Sequence, residues 1–176
     1  MAADEILDVV SEHDKVTGRA TIEDCLENGL LHRAVAVLVV RSDGRFLLQQ
    51  RSKNDLWHPG LWTLSSTGHV GAGENYDHAA ERELAEELGL TAAPVPLKKY
   101  LLPPIRSGDL TEREWVTLYV ARTDLPCRLD RTEVEQVKEV DERRLIRMFR
   151  DGSMTPDAVI LMTDYLEHLR SRVSWP

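Results

Sequence analysis

The stretch GHVGAGENYDHAAERELAEELGL, residues Gly68–Leu90, runs from a glycine-rich loop into a helix and ends on three closely spaced glutamates, Glu83, Glu86 and Glu87. Asn75 is placed to cap the helix, Asp77 suits its first turn, and Gly89 stands where a left-handed residue closes one. Ala80, Leu84 and Leu88 recur every four residues and form the stripe to be buried. Glu83 is i,i+3 from Glu86 and i,i+4 from Glu87, so the three carboxylates share one side of the helix. Like charges at that spacing oppose a helix by roughly 0.2–0.5 kcal/mol per pair. Glu86 and Glu87 also occupy the last turn, where the helix dipole favours cations. Two local rules broken in one place point to a functional site, and a bound divalent cation would remove both penalties. Gly68, Gly71 and Gly73 let the preceding backbone come close to a ligand.

Outward from this segment, the run RAVAVLVVRSDGRFLLQQR (Arg33–Arg51) places two β-branched, apolar stretches around Asp43-Gly44, a strong hairpin signal. The first stretch is almost continuously apolar, as in a central strand buried on both faces. ILDVV (Ile6–Val10) reads as a short strand before a polar turn, SEHDKVTGR. NDLWHPGLWTLSS (Asn54–Ser66) reads as an ordered loop in which Trp57 and Trp62 serve as supports or pocket walls. WVTLYVA (Trp115–Ala121) alternates as a strand, with weaker strand signals at Leu97–Leu102 and Val134–Val140. Thr155-Pro156 places a cap and a first-turn proline ahead of a helix with Ala158, Leu161, Met162, Tyr165, Leu166 and Leu169 on its apolar side. The order of elements predicts a mixed α/β sandwich in one domain, residues 1–176.

The chain has 176 residues, a net charge of -8 and two cysteines. Its length suffices for a real core. The negative charge argues against a nucleic-acid surface, which needs lysine and arginine patches, but permits a small phosphate ligand bridged by a metal. No run is long enough to span a membrane, the acidic N-terminus does not read as a secretory signal, and Cys25 and Cys127 form no framework. These features predict a cytoplasmic protein. Arg51 and Lys53, after the LLQQ strand, are candidates to hold a substrate phosphate, since an anion needs cations in an acidic protein.

Written out, Gly68, five residues, Glu74, seven residues and Arg82-Glu83-Leu84-Ala85-Glu86-Glu87-Leu88-Gly89-Leu90 resemble the Nudix box at every defined position. From average residue usage, such a match arises by chance in on the order of one in ten million chains of this length, which sets aside an ordinary solvated helix face. The resemblance implies an α/β/α sandwich around a mixed sheet and a magnesium- or manganese-dependent hydrolase of a small-molecule diphosphate linked to a further group X. It implies Glu83, Glu86 and Glu87 as metal ligands and Glu74 as an outer helper. Arg82 would orient a box glutamate, and Gly68 would let backbone approach substrate. Family members are often dimers, which makes a homodimer compatible with the chain. Magnesium suits the donor set, because it prefers carboxylate oxygen and shares its shell with substrate phosphates.

A narrower resemblance covers most of the chain. LHRAVAVLVV, LLQQRS and WHPGLWTLSSTGHV look like the isopentenyl-diphosphate isomerase branch of the same superfamily. That resemblance implies a second metal site from His32, His69, Glu112 and Glu114, with Glu114 joining Glu86, Glu87 and Arg82 among the catalytic candidates. The Glu112-x-Glu114 spacing puts both carboxylates on one face of a strand. Cys25 stands where the isomerases have another histidine ligand, and Thr67 where they have a catalytic cysteine. A threonine hydroxyl is poorly suited to move a proton to or from an allylic carbon. These departures, and the intact box, favour a pyrophosphohydrolase over the alternative, an isomerase shifting a double bond in an allylic diphosphate.

Overall fold

The computed structural model describes residues 5–55 and 57–171. Its elements run β1 Ile6–Val10, β2 Val16–Thr21, α1 Ile22–Asn28, β3 His32–Val40, β4 Phe46–Arg51, β5 Trp62–Thr63 and β6 Ser66–His69. They continue α2 Tyr76–Leu88, β7 Val95–Leu101, β8 Ile105–Ser107, β9 Leu110–Glu112, β10 Glu114–Arg122, β11 Val134–Val140, α3 Glu142–Arg150 and α4 Pro156–Ser171. The main sheet has the order β11-β4-β3-β10-β7, with β5 added to β4 and β6 to β3. It is mixed, because β3 and β10 pair in parallel while every other ladder is antiparallel.

Alternation along β3 divides the core into two layers. Val35, Val37 and Val39 join Leu47, Ala80, Leu84, Leu88 and Tyr119 under α2. Ala34, Ala36, Leu38 and Val40 join Leu48, Leu118, Leu145, Leu161, Met162 and Tyr165 under α3 and α4. The result is the mixed α/β sandwich that the strand and helix signals predict, in the α/β/α layering that the resemblance implies. Helix α2 begins at Asn75, whose side chain accepts from the His78 N–H, and ends at Gly89 in the left-handed region at φ 63°. The helix is thus bounded by its own caps, and the Ala80–Leu84–Leu88 stripe fastens it to the sheet.

The sequence reading of the first hairpin needs correction. Only Ser11–Lys15 turns; Val16–Thr21 forms β2 and pairs with β1, Ile6 opposite Thr21. That strand is mostly exposed, so main-chain pairing holds it and no apolar alternation announces it. Leu7, Ile22, Cys25, Leu26, Trp57 and Ile105 build a third, smaller core around this N-terminal unit. The unit also braces the glycine-rich loop: the Ala72 N–H donates to Ile6 O at 2.9 Å, and the Gly73 N–H donates to Asp8 Oδ2 at 2.9 Å.

One feature of the sheet makes room for a site. β3 and β4 share only the pairs Val39–Leu47 and Val40–Phe46 before separating, after which β6 pairs with β3 and β5 with β4. A cavity of about 410 Å³ opens in that gap, lined by residues of both sheet faces, among them Ala34, Val35, Gln49, Thr67, Gly68, Glu83 and Glu114.

Candidate active site

The ladders explain which side chains meet. Parallel pairing sets Glu114 opposite His32, and the β3–β6 ladder sets His69 opposite Ala34 and Gly68 opposite Val35. By alternation, His32, His69 and Glu114 therefore lie on the α4 side of the sheet, while Gly68 faces α2. Helix α2 brings the box glutamates to the same cavity from the other side.

Glu83 and Glu87 are 7% and 5% exposed, whereas the Glu86 side chain is 61% exposed at the rim. The shared helix side thus holds two buried carboxylates and one open one. Gly68 makes this possible, since a Cβ built there would lie 2.1 Å from the Glu83 carboxyl carbon. Arg82 gathers the cluster. Its Nε and Nη2 donate to the two Glu74 carboxylate oxygens at 3.0 and 2.9 Å, and Nη2 also donates to His69 O at 3.0 Å. Its Nη1 reaches Glu83 Oε1 at 2.7 Å and Glu86 Oε2 at 3.2 Å. Glu87 accepts from Gln49 Nε2 at 3.2 Å and from the Thr67 N–H at 3.1 Å.

The electrostatics describe carboxylates short of positive charge. Burial, then repulsion from Glu87, pushes Glu83 up to about 8, against the partial relief of Arg82. Burial pushes Glu87 up to about 7, with hydrogen bonds from its neighbours opposing it. The donors are all carboxylate oxygens, the hard set that suits magnesium or manganese, and a divalent cation would supply the charge that Arg82 alone does not.

A second cluster adjoins the first. Ligand atoms of His32, His69 and Glu114 lie within 4.8 Å of one another. His32 Nδ1 is 2.9 Å from Leu30 O, while its Nε2 is buried, has no hydrogen-bond partner among the described residues and lies 3.5 Å from Glu114 Oε1. His69 Nδ1 is 3.6 Å from Glu5 Oε2, and its Nε2 is 3.7 Å from Glu114 Oε1. Each imidazole thus has an acceptor beside Nδ1 and turns Nε2 inward, the arrangement of histidines that ligate through Nε2. Burial disfavours charge on His32, yet the Cys25 side chain and Glu114 outweigh it and raise the ring to about 10. Burial raises Glu114 less than His32 and His69 lower it, so its carboxyl sits below the ordinary range. Burial, then repulsion from Glu114 and Asp157, drives Glu112 well up. In the chain alone a proton on His32 is the charge that a metal ion would replace.

Of the residues singled out from sequence, Glu83, Glu86, Glu87, Arg82, His69, Glu112, Glu114, Gly68 and Arg51 all line this cavity, and His32 stands directly behind it. Glu112 and Glu114 fall on either side of a strand break rather than within one strand, but both are buried and face the same space. Arg51 is already engaged, donating to Trp57 O at 2.7 Å and Asp55 Oδ2 at 2.6 Å. Lys53 does not join the group: its side chain is exposed, 3.8 Å from Glu135, because the chain turns outward after β4. Trp57 lines the cavity, whereas Trp62 is part of the core under α4. Sequence reasoning missed Glu5, Gln49 and Asp157. Glu5 and Gln49 have no local signal, since each reaches the cavity only through non-local pairing. Asp157 reads as an ordinary acid in the first turn of α4.

A family model described as the NUDIX domain matches residues 30–160. The chain is 36% identical over 145 residues to isopentenyl-diphosphate Delta-isomerase 2 of Photorhabdus laumondii, covering 81% of this chain and 80% of that protein. It is 38% identical over 121 residues to an uncharacterized Nudix hydrolase of Streptomyces coelicolor, covering 69% of this chain and 66% of the relative. Among solved structures, the Deinococcus radiodurans protein DR0079 superposes with a TM-score of 0.78 at 23% identity, over 91% of this chain and 98% of the other.

Proposed function

The chain belongs to the Nudix family, and on that footing we propose that it is a magnesium-dependent pyrophosphohydrolase, cleaving the diphosphate linkage of a small molecule. One observation carries the reading. Glu83 and Glu87 are buried side by side, with Glu86 at the rim and a single guanidinium, Arg82, among them. A fold keeps three carboxylates around one guanidinium where a further cation is to be held.

In this mechanism Glu83, Glu86 and Glu87 would hold the metal ion, magnesium or manganese. When bound, the ion neutralises diphosphate charge and lowers the pKa of the attacking water. Arg82 fixes Glu83 and Glu86 and, through Glu74, the turn of the loop, because the Glu74 carboxylate also accepts the Gly71 N–H at 2.9 Å. Gly68 keeps space beside the Glu83 carboxyl group. Glu86 and Glu87 are the groups placed to take the proton of the water, Glu86 from the open rim and Glu87 from the hydrogen-bonded interior. The two free cysteines, Cys25 and Cys127, support assignment to the reducing cytoplasm. The acidic surface charge supports a small-molecule substrate rather than a nucleic acid.

Convergence of His32, His69 and Glu114 favours a second reading, isomerisation of an allylic diphosphate. Thr67 opposes it, since the side chain at that place in the cavity is a hydroxyl rather than a thiol. Phosphate release from a panel of diphosphates with magnesium tests the first reading. Glu86→Gln and Glu87→Gln should each abolish it, and unchanged release in both would overturn the assignment. Isopentenyl diphosphate returned as a rearranged diphosphate would establish the second.

A further inference from the structure

The cavity has two electrostatic ends. At the box end Glu83 is buried beside the charges of Glu87, Arg82 and Glu5. At the other end Glu112, Glu114, Asp157, His32 and Arg51 act on one another, and His69 bridges the two groups. Under the proposed function, metal ions would account for the box glutamates and for the His32–His69–Glu114 group. Asp157 is in neither, because the ligand atoms that cluster are those of His32, His69 and Glu114. Yet Asp157 lines the cavity, half-buried, with the Thr155 side chain at its carboxyl group. Trp57 lines the same cavity, 4% exposed, and its indole N–H has no hydrogen-bond partner among the described residues. The far end therefore offers a carboxylate acceptor and an aromatic wall that the metals do not use.

We propose that Asp157 selects the X group of the substrate, and that this group is a hydroxylated ring, a sugar, rather than a hydrocarbon. The inference rests on the pyrophosphohydrolase reading above. A sugar ring presents an apolar C–H face, which suits an aromatic wall, and a hydroxyl edge, which suits a carboxylate. A hydrocarbon chain would cover the Trp57 indole N–H, which has no partner among the described residues, and would leave Asp157 with Thr155 as its side-chain donor, adding no hydrogen bond to either. A cationic X group would answer Asp157 but not the Trp57 indole N–H, which needs an acceptor, whereas a hydroxyl both donates and accepts. Neutral donors remain. A site built around a substrate hydroxyl rejects analogues lacking it by factors that reach about 10⁴.

Asp157 also stands in the first turn of α4, where an acid favours the helix dipole. A role limited to the helix would change thermal stability and leave substrate choice untouched. The test compares UDP-glucose with isopentenyl diphosphate, measured with magnesium on wild type, Asp157→Asn and Asp157→Leu, alongside melting temperatures and magnesium binding by calorimetry. The expected results are at least a 100-fold preference of wild type for UDP-glucose and a loss of about 10- to 100-fold in kcat/KM for Asp157→Leu on that substrate alone. That loss should fall mainly in KM, with magnesium affinity unchanged. Asp157→Asn, which keeps an oxygen acceptor, should retain most of the preference. Wild type cleaving both compounds equally well, or Asp157→Leu keeping the preference, overturns this inference and leaves the hydrolase standing. Wild type cleaving no diphosphate overturns both.

Discussion

A single methyl group at Gly68 probes the site more sharply than removal of a ligand. A Cβ there would lie 2.1 Å from the Glu83 carboxyl carbon and 2.2 and 2.5 Å from its oxygens. Real Cβ contacts essentially never fall below 3.0 Å, so in a close-packed interior the carboxyl group must retreat by about 1 Å. The Gly68 backbone cannot easily yield, because β6 is held against β3 at Gly68–Val35. Glu83 therefore moves, and its 2.7 Å contact with Arg82 is stretched or lost. A displaced rotamer costs about 0.5–1.5 kcal/mol, so Gly68→Ala should fold normally. A 1 Å error in a reacting constellation, by contrast, costs about 10²-fold in rate. Steady-state hydrolysis of a cleaved diphosphate, titrated with magnesium, should show kcat/KM reduced about 100-fold and the magnesium midpoint moved to higher concentration. Circular-dichroism melting should shift by no more than a few degrees. Wild-type kinetics and an unmoved magnesium midpoint in a folded Gly68→Ala protein would refute the role given to Glu83.

Stability should depend on pH and metal together. Glu83 and Glu87 titrate at about 8 and about 7 in the folded chain, against a free value of 4.5, so over that interval the folded state binds more protons than the unfolded. Metal-free stability is accordingly full below about pH 4.5 and falls as pH rises towards 8. His32, held charged up to about 10, adds a loss of the same sign at higher pH. Magnesium should therefore raise the melting temperature more at pH 8.5 than at pH 5.5; an equal rise at both counts against the linkage. Glu5→Ala should weaken manganese binding at the histidine cluster by about 10- to 100-fold while sparing the metal-free melting temperature, because Glu5 orients His69 through Nδ1. Calorimetric titration returning wild-type affinity would exclude that role. Leu84→Ala, at a fully buried position of the α2 stripe, should cost about 2–5 kcal/mol in denaturant unfolding; a cost under about 1 kcal/mol would mean that α2 is not fastened by that stripe.

Local chemistry announces much of this molecule. The Asp43-Gly44 turn lies between β3 and β4, Asn75 and Gly89 bound α2, and Pro156 opens α4 as its position predicts. Each is a case where one residue type satisfies one backbone requirement. β2 escaped because its side chains are largely solvated and its pairing is purely main-chain. Helix α1 escaped because seven residues carry too little periodicity, although Thr21 caps it and Gly29 closes it. The meeting of His32 with Glu114 depends on a parallel ladder between strands more than seventy positions apart, which no spacing rule reports. Lys53 shows the converse. Its charge and its place after a strand suit a phosphate, but the chain has already turned away, and neither property reveals that.

The separation of β3 from β4 after two residue pairs gives the cavity walls from opposite layers of the sandwich, so that under the proposed function box chemistry and choice of substrate would fall to different walls. Helix α2 and its loop form one wall, and the start of α4 with the segment around Trp57 forms the other. Such an arrangement is open to piecemeal remodelling. New side chains at the α4 wall can adapt the enzyme to another leaving group while the reactive wall stays as it is.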